Sequence, residues 1–242
     1  MASDFDDFNL CPSCGSIKKE SNKVNENITC DCRSQKKLAK IYTRTNIPYE
    51  YWFKDLDDYY GRDDHKNEIE EYCNKINDYH RHAIGLFLWG KNGTGKTLLS
   101  ICVLKYALKK KFECFFVSYS EIVSMFTSTW SSNSAKSAFE KNIEKSDFLV
   151  IDDLGKEYKT NNNLAESILD KVIRYRRRPT IITSNKNVEE LKTLYQHTWG
   201  ESLASLIYGK MINVQVMGRD YRKDISVKLK EIVSNETYRK IK

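Results

Sequence analysis

The segment at residues 90–97 has the residue types and the spacing that bind phosphate groups. It reads Gly-Lys-Asn-Gly-Thr-Gly-Lys-Thr and satisfies the pattern G-x-x-x-x-G-K-[ST] in full. Glycines let successive backbone N–H groups turn toward phosphate oxygens, and a helix that follows adds the positive end of its dipole. In such a loop Lys96 would reach the β- and γ-phosphates of a nucleotide, and the Thr97 hydroxyl would ligate Mg²⁺. The residues predicted to contact the nucleotide are Gly90, Asn92, Gly93, Thr94, Gly95, Lys96 and Thr97.

Two adjacent carboxylates, Asp152 and Asp153, follow an apolar run at residues 148–151. Such a run is typical of a buried strand, and ligands of open α/β sheets bind at the carboxyl ends of the strands. We expect Asp152 to hold Mg²⁺, directly or through water, and Asp153 to polarise the attacking water as a general base. The alternative for two adjacent acids is a plain helix N-cap region.

Polar residues also follow another apolar run, at residues 179–182. The sequence there continues Thr-Ser-Asn, and the side-chain amide of Asn185 would orient the lytic water or touch the γ-phosphate. Taken alone, Thr-Ser-Asn is an ordinary exit from a strand into a loop. Beside the glycine loop and the two carboxylates, Asn185 becomes a candidate sensor of the γ-phosphate.

The elements that must position these residues are parallel strands alternating with helices. Residues 83–89 form a short apolar run typical of a buried parallel strand, and residues 98–108 favour a helix. Strand, glycine loop and helix therefore follow one another in the order that phosphate binding needs, which a chance glycine loop would lack. A further strand is predicted at residues 113–118. The fold class is α/β, with a parallel sheet flanked by helices.

Four of the seven cysteines fall within the first 32 residues, as Cys11-Pro-Ser-Cys14 and Cys30-Asp-Cys32. Cys-x-x-Cys lets two thiolates face one metal ion, and the distance to the second pair fits a structural zinc site with four cysteine ligands. Four unrelated reduced thiols are the alternative. A redox function is disfavoured because no βαβ pattern surrounds the first pair. A module of this size has too little core to fold alone, so bound Zn²⁺ would stabilise it.

Composition excludes several classes of protein. The chain has 242 residues, of which 40 are Lys or Arg and 33 Asp or Glu, giving a net charge of +7. Neither a membrane-spanning apolar run nor a secretory leader is expected, and the odd cysteine count argues against a disulfide framework. The charge is unevenly placed, with five basic and no acidic residues over 33–44 and nine carboxylates over 50–71. Such a protein can bind nucleic acid, although its net charge does not require it.

The charge pattern and the prolines divide the chain into three parts. The basic stretch after Cys32 has apolar residues at the spacing of an amphipathic helix, which Pro48 would stop. We predict a zinc-binding domain at residues 1–44, a linker or N-terminal extension of the ATPase at 45–82, and the ATPase domain at 83–242.

Taken together, these motifs resemble the AAA+ helicase loaders of the DnaC/DnaI type and the related IstB-like ATP-binding family. The resemblance covers nearly the whole chain, and Asp-Asp-Leu-Gly with Thr-Ile-Ile-Thr-Ser-Asn is more specific than the glycine loop. The segments that carry it are 90–97 (Walker A), 149–155 (Walker B), 178–185 (sensor 1), 218–222 (with Arg222 as a sensor 2-like arginine), 47–53, and the cysteines followed by a basic helix.

The resemblance implies an AAA+ P-loop ATPase, preceded by a small zinc-binding domain, that loads a replicative hexameric helicase of the DnaB type onto single-stranded DNA. The implied ligands are ATP, Mg²⁺ and Zn²⁺. The front domain would bind the helicase, the AAA+ domains would associate with one another, and no membrane would be involved. The expected setting is the cytoplasm of a bacterial or phage-infected cell. Loaders contact DNA near residues 119–141, which makes Lys136 and Lys141 candidate phosphate partners and Tyr119, Phe126 and Trp130 candidate stacking residues.

The sequence departs from the family at the arginine finger. In these loaders the finger lies near the position of Ser202, and no arginine occurs between Arg178 and Arg219. A lysine such as Lys210 would be a weaker substitute, because it lacks the planar fork of a guanidinium group. We therefore predict weak intrinsic ATP hydrolysis. Two alternatives to the loader stay open, an IstB-like transposition ATPase and a helicase-binding inhibitor that hydrolyses little ATP.

Overall fold

A parallel sheet of five strands forms the centre of the fold. The computed structural model describes residues 32–127, 133–156, 169–170, 172–174, 176–195 and 198–222. Its strands are β1 (Gly85–Trp89), β2 (Cys114–Ser118), β3 (Phe148–Leu154), β4 (Thr180–Ser184) and β5 (Met211–Gln215). They lie in the order β2-β3-β4-β1-β5, and every neighbouring pair is parallel.

Helices cover both faces of this sheet. They are α1 (Cys32–Arg44), α2 (Asp63–Asn74), α3 (Ile76–His82), α4 (Lys96–Lys109), α5 (Tyr119–Thr127), α6 (Asn133–Lys145), α7 (Val188–Leu194) and α8 (Thr198–Lys210). Short 3₁₀ turns occupy Tyr49–Tyr51 and Leu56–Asp58. The predicted α/β class, with a parallel sheet flanked by helices, is confirmed. No helix among the described residues is long and apolar enough to cross a membrane.

The two faces of the sheet bury alternate residues of each strand. In β3, Leu149 and Ile151 join a core that includes side chains of α5 and α8. Phe148 and Val150 point the other way, into a core formed largely by α4. Because both faces are covered, the strands read as nearly continuous apolar runs, which is why the sequence reveals them so clearly.

The segment between α1 and β1 packs on the ATPase core. Tyr59, Ile69, Tyr72 and Ile76 are all buried in the core on the α4 side of the sheet. The free edge of β2 is covered as well, because the amide of Phe116 donates to the carbonyl oxygen of Thr45 at 2.9 Å. This bond occupies the amide of Phe116, the middle residue of the edge strand. The described segment between α1 and β1 therefore packs against the same core as α4.

Candidate nucleotide site

The glycine loop runs from the end of β1 to the start of α4. Gly93 and Gly95 have φ angles of +75° and +91°. A Cβ atom on Gly93 would lie 1.8 Å from Asp220 Oδ1, and one on Gly95 would lie 2.7 Å from the ring of Tyr59. Glycine is therefore required at both positions, by conformation and by space. Because α4 begins at Lys96, the positive end of its dipole lies at this loop.

The Lys96 ammonium group is held inside the loop. Its Nζ donates to the carbonyl oxygens of Gly90 and Lys91, at 2.8 and 2.7 Å. Only 5% of the residue is exposed to solvent, and burial lowers the pKa of Lys96 to about 8, against the opposite pull of the nearby Asp153 and Asp152 carboxylates. A buried cation of this kind gains an anionic partner when phosphates bind.

Thr97 and Asp152 form an oxygen-rich pair beside the lysine. Thr97 Oγ1 donates to the two carboxylate oxygens of Asp152, at 3.0 and 3.2 Å, and Thr183 Oγ1 donates to Oδ1 at 2.6 Å. Burial raises the pKa of Asp152, while the hydrogen bonds from Thr183 and Thr97 act in the opposite direction. A hydroxyl and a carboxylate are the oxygen donors that Mg²⁺ prefers, so the residues present fit this ion.

Asp153 lies in an irregular part of the sheet. The register between β3 and β4 shifts between Ile151 and Leu154, and Asp153 has a φ angle of +61°. Bulges of this kind change the direction of a side chain next to a functional site. Asp153 Oδ2 pairs with Lys156 Nζ at 2.7 Å, so the predicted general base has a cation beside it.

These residues surround one cavity of about 300 Å³ at the carboxyl edge of the sheet. Of the residues predicted from the sequence, it is lined by Asn92, Gly93, Thr94, Gly95, Lys96, Thr97, Asp153, Asn185 and Arg222. Gly90 and Asp152 stand just behind this lining, joined to it through their bonds to Lys96 and Thr97. The structure therefore brings the predicted nucleotide and hydrolysis residues together in one place.

Sequence reasoning missed the aromatic wall of this cavity. The unpredicted lining residues include Tyr51, Lys54, Asp58, Tyr59, Tyr60, Lys156 and Tyr221. Most of them come from residues 49–60, which lie more than 30 positions before the glycine loop. The abundance of tyrosine in that segment was a signal, but nothing in the sequence indicates that the segment folds back over the loop.

Tyr59 links the wall to the segment that carries Arg222. Its hydroxyl lies 2.7 Å from His65 Nδ1, and His65 Nε2 accepts a hydrogen bond from the backbone amide of Met217 at 3.3 Å. Burial lowers the pKa of His65 and favours the neutral ring. The amide of Tyr221 then reaches the Gly93 carbonyl oxygen at 3.1 Å and closes the ring of contacts.

Lys105 of α4 fixes the other end of the wall. Its Nζ donates to the carbonyl oxygens of Tyr51, Trp52 and Lys54, at 2.6, 3.0 and 2.5 Å. A single ammonium group thus satisfies three backbone acceptors at the end of a 3₁₀ turn, where such groups lack partners within the turn. The helix that follows the glycine loop therefore also positions Tyr51 over the cavity.

The expected place of the arginine finger holds a serine with an arginine beside it. Ser202 Oγ donates to Asp170 Oδ1 at 3.2 Å and accepts a hydrogen bond from Arg174 Nη2. Arg174 also forms a two-pronged pair with Asp170, at 2.8 and 3.0 Å, and nearly half of its side chain is exposed. A guanidinium group therefore reaches this surface from a different part of the chain.

Other predicted residues fall outside the site or outside the described residues. Cys11, Cys14 and Cys30 lie outside the described residues, and Cys32 begins α1 without a described side chain. Within the described part of the chain, no group of three or more His, Cys, Asp or Glu residues could hold a metal ion.

The predicted DNA contacts divide in the same way. Trp130 lies outside the described residues, and the side chains of Phe126 and Lys136 are not described. Tyr119 is fully buried in the core, so its predicted stacking role is wrong, because no base could reach its ring. Lys141 is exposed on α6, where a phosphate could reach it.

Comparisons with known proteins agree with this geometry. The model of the IstB-like ATP binding protein family matches residues 23–228. The crystal structure of the DnaC helicase loader is similar with a TM-score of 0.58 and 24% identity, covering 70% of this chain and 100% of that chain. DnaI gives 0.58 and 19%, covering 72% and 93%. AMPPCP-bound DnaA from Aquifex aeolicus gives 0.55 and 19%, covering 76% and 56%. The comparison with curated proteins gave no match.

The structural comparisons and the family model support different conclusions. The structural neighbours are distant in sequence, and they establish the AAA+ fold. The family model covers most of the chain, including the glycine loop, Asp152 and Asn185. The chain therefore belongs to the IstB-like ATP binding protein family.

Proposed function

We propose that this protein is an ATP-dependent loader that binds a replicative hexameric DNA helicase and delivers it to single-stranded DNA during replication. The observation that carries the ATP-dependent part is the cavity in which Lys96, the Thr97–Asp152 pair and Asn185 converge. The loader part is supported by the likeness to DnaC, a helicase loader whose whole solved chain is covered. The proposed setting is the cytoplasm of a bacterial or phage-infected cell.

The residues of the cavity have separate roles in ATP binding and hydrolysis. The loop amides and Lys96 hold the β- and γ-phosphates, and Thr97 and Asp152 would hold Mg²⁺, which neutralises charge on the phosphates when it is bound. Asp153 orients and polarises the attacking water, and Asn185 contacts the γ-phosphate or that water. Arg222 lines the same cavity and completes the set of cations around the phosphates.

Intrinsic hydrolysis is proposed to be weak until copies of the protein associate. An arginine supplied by a neighbour is worth roughly 10³–10⁵ in rate in related P-loop enzymes. Arg174, at the surface beside Ser202, is the arginine that would serve a neighbouring copy, and Arg219 and Lys210 are the other exposed cations nearby in sequence. ATP would then act partly as a switch for assembly.

The zinc-binding front domain is proposed as the part that binds the helicase. Its ligands would be Cys11, Cys14, Cys30 and Cys32, the last of which leads directly into α1. Because Thr45, the residue that follows α1, pairs with Phe116 of β2, a helicase held by the front domain would stay close to the ATPase.

The direct test is to mix the purified protein with the helicase of its host and to measure the mass of the complex with and without ATP. A complex of defined stoichiometry that forms on ATP addition supports the proposal. The Lys96→Ala variant should keep its fold and lose the ATP effect, with Lys91→Ala, an exposed lysine of the same loop, as the matched control. A protein that binds no helicase under any of these conditions would contradict the proposal.

A second candidate is a helicase-binding inhibitor, and the absence of arginine between residues 178 and 219 favours it. Both candidates bind the helicase, so a loading assay separates them. A loader increases helicase unwinding of a duplex that adjoins single-stranded DNA coated with its binding protein, whereas an inhibitor lowers it. The Arg174→Ala variant tests whether Arg174 serves the neighbouring copy. It should reduce hydrolysis by associated copies and leave ATP binding intact.

A further inference from the structure

A groove of about 560 Å³ lies between α1 and α6, far from the nucleotide cavity. One rim carries Lys37, Lys40 and Arg44 of α1, and the other carries Lys141 and Lys145 of α6. Residues three or four positions apart on a helix lie on one face, about 5–6 Å from each other. Each rim therefore presents a row of regularly spaced cations, and the two rows face each other across the groove.

Within the described part of the chain, one carboxylate lines this groove beside its five cations. Glu113 is the carboxylate among its described lining residues, and it lies 3.9 Å from Arg44, with both side chains largely exposed. None of the four rim lysines forms an ion pair with a described carboxylate. Five cations against one carboxylate make a strongly positive surface that attracts an extended anion.

The groove opens at the edge of the sheet opposite the nucleotide cavity. Its floor includes Cys114 at the start of β2, and Ser146, which comes just before β3. The glycine loop and Asp153 lie at the other ends of the parallel strands. A ligand in the groove and a nucleotide in the cavity can therefore be bound at the same time.

The groove is poorly suited to a peptide strand. A peptide usually binds a sheet edge by adding a strand, which needs free backbone groups. At Phe116, the middle residue of β2, both groups are already used, because its amide donates to the Thr45 carbonyl oxygen and its carbonyl oxygen accepts from the side chain of Asn46 at 3.0 Å. Contact must therefore be made through the cationic rims, which is how positively charged grooves follow the backbone of a nucleic-acid strand.

We propose that the groove between α1 and α6 binds the phosphodiester backbone of single-stranded nucleic acid, with phosphates alternating between the two rims. A single compact anion would use one or two of the five cations, whereas a strand that repeats its phosphate at every nucleotide uses both rows. The choice of ligand rests on the single-stranded DNA partner of the proposed function. The proposed function does not itself predict that the strand binds in this groove, or that its binding is independent of ATP.

The test measures binding of the full-length protein to a labelled oligothymidylate of about 16 nucleotides by fluorescence anisotropy over a range of salt. Two double variants remove one rim each, Lys37→Ala/Lys40→Ala and Lys141→Ala/Lys145→Ala. The α1 pair is decisive, because Lys141 was already a candidate DNA contact by resemblance. The matched control, Lys66→Ala/Lys109→Ala, removes the same charge from α2 and α4. Circular dichroism and ATP binding verify that each variant is folded.

Each rim variant should weaken binding about tenfold and reduce the salt slope by about 1.4, as expected for two lost phosphate contacts, while the control should change neither. ATP should leave the affinity unchanged. Unaltered binding in the α1 variant, or a control variant that weakens binding equally, would overturn the proposal. So would tighter binding of a duplex of equal length, or displacement of the oligonucleotide by polyglutamate at equal charge. Helicase binding, measured separately, decides the proposed function whatever the groove does.

Discussion

The two edges of the sheet differ in how they hold the charged groups that would meet a ligand. At the carboxyl edge the charged groups are buried and bonded to one another, as Lys96 is to the loop carbonyls and Asp152 is to Thr97 and Thr183. In the groove at the amino edge the cations that would meet a ligand, among them Lys37 and Lys145, stand exposed on helices. The first arrangement fixes the geometry of one small ligand, and the second attracts a long anion without fixing its sequence.

This difference predicts different responses to mutation and to salt. A buried charge that loses its partner is strongly penalised, whereas an exposed charge is screened within about 10 Å at 0.1 M salt. Single substitutions should therefore have large effects on ligand binding at the carboxyl edge. In the groove at the amino edge, the effects on ligand binding should be graded, shared among several cations and weaker at high salt.

The largest effect is expected for Lys96→Ala on ATP affinity. The substitution removes a buried cation that we propose holds the β- and γ-phosphates, and such contacts are worth about 2–5 kcal/mol, so affinity should fall roughly 30-fold or more. Isothermal titration calorimetry checks this, with exposed Lys91→Ala as the control from the same loop. A loss smaller than about fivefold would show that the loop amides carry the binding and that the contrast between the two edges is wrong.

The next effect concerns the stability of the amino edge. Arg176 is buried there and donates hydrogen bonds to the carbonyl oxygens of Ile143, Glu144, Ser146 and Pro179, and to side-chain oxygens of Ser146 and Thr180. It joins the end of α6 to the start of β4. Arg176→Ala would leave several buried acceptors without donors, so we expect a loss of about 3 kcal/mol in the free energy of unfolding.

Chemical denaturation measures that loss, with Arg177→Ala as the control, because Arg177 is the exposed neighbour. ATP affinity should stay unchanged in both variants, since the carboxyl edge is not touched. If Arg176→Ala cost less than about 1 kcal/mol, water would have replaced the lost donors, and this edge would be more tolerant than we describe.

What the sequence could and could not predict follows the same division. The glycine loop, Asp152 and Asn185 were identified because their chemistry depends on local spacing and on the ends of buried strands. The Tyr59–His65–Met217 chain was not identified, because it joins residues 152 positions apart through one hydrogen bond. The basic groove could not be predicted either, since α1 and α6 lie far apart in the sequence and line one groove only in the folded chain.

The burial of individual side chains could not be predicted from the sequence either. Tyr119 reads as an aromatic residue beside a polar stretch, but it points into the core on the α5 side of the sheet. Ser202 stands where the resemblance places an arginine finger, so the sequence lacks a cation at that position. In the structure, Arg174, 28 positions away in the chain, donates a hydrogen bond to Ser202. In both cases the deciding contact is tertiary, and no local pattern reports it.

A smaller effect is expected for Lys105→Met, which tests how far the carboxyl edge depends on its support. Without the ammonium group the carbonyl oxygens of Tyr51, Trp52 and Lys54 lose a shared donor, and Tyr51 is no longer fixed over the cavity. We expect ATP affinity to fall about fivefold, equivalent to about 1 kcal/mol. Lys105→Arg should restore part of it, and Lys109→Met, an exposed lysine of the same helix, should have no effect. Equal affinity of all three variants would leave Lys105 with a role in stability alone.

The smallest effect is a fraction of a proton taken up when ATP binds. Burial holds the pKa of Lys96 at about 8 in the free protein, so at pH 8 about half of the molecules carry a neutral amine. Phosphates favour the ammonium form and raise this pKa, so binding at pH 8 should take up about 0.5 proton, and affinity should fall as the pH rises further. Calorimetry in two buffers of different ionisation enthalpy measures the uptake. The Lys96→Arg variant, whose guanidinium group stays charged, should show none of it. Equal uptake by the two proteins would mean that the proton comes from another group and that Lys96 is already charged before the nucleotide arrives.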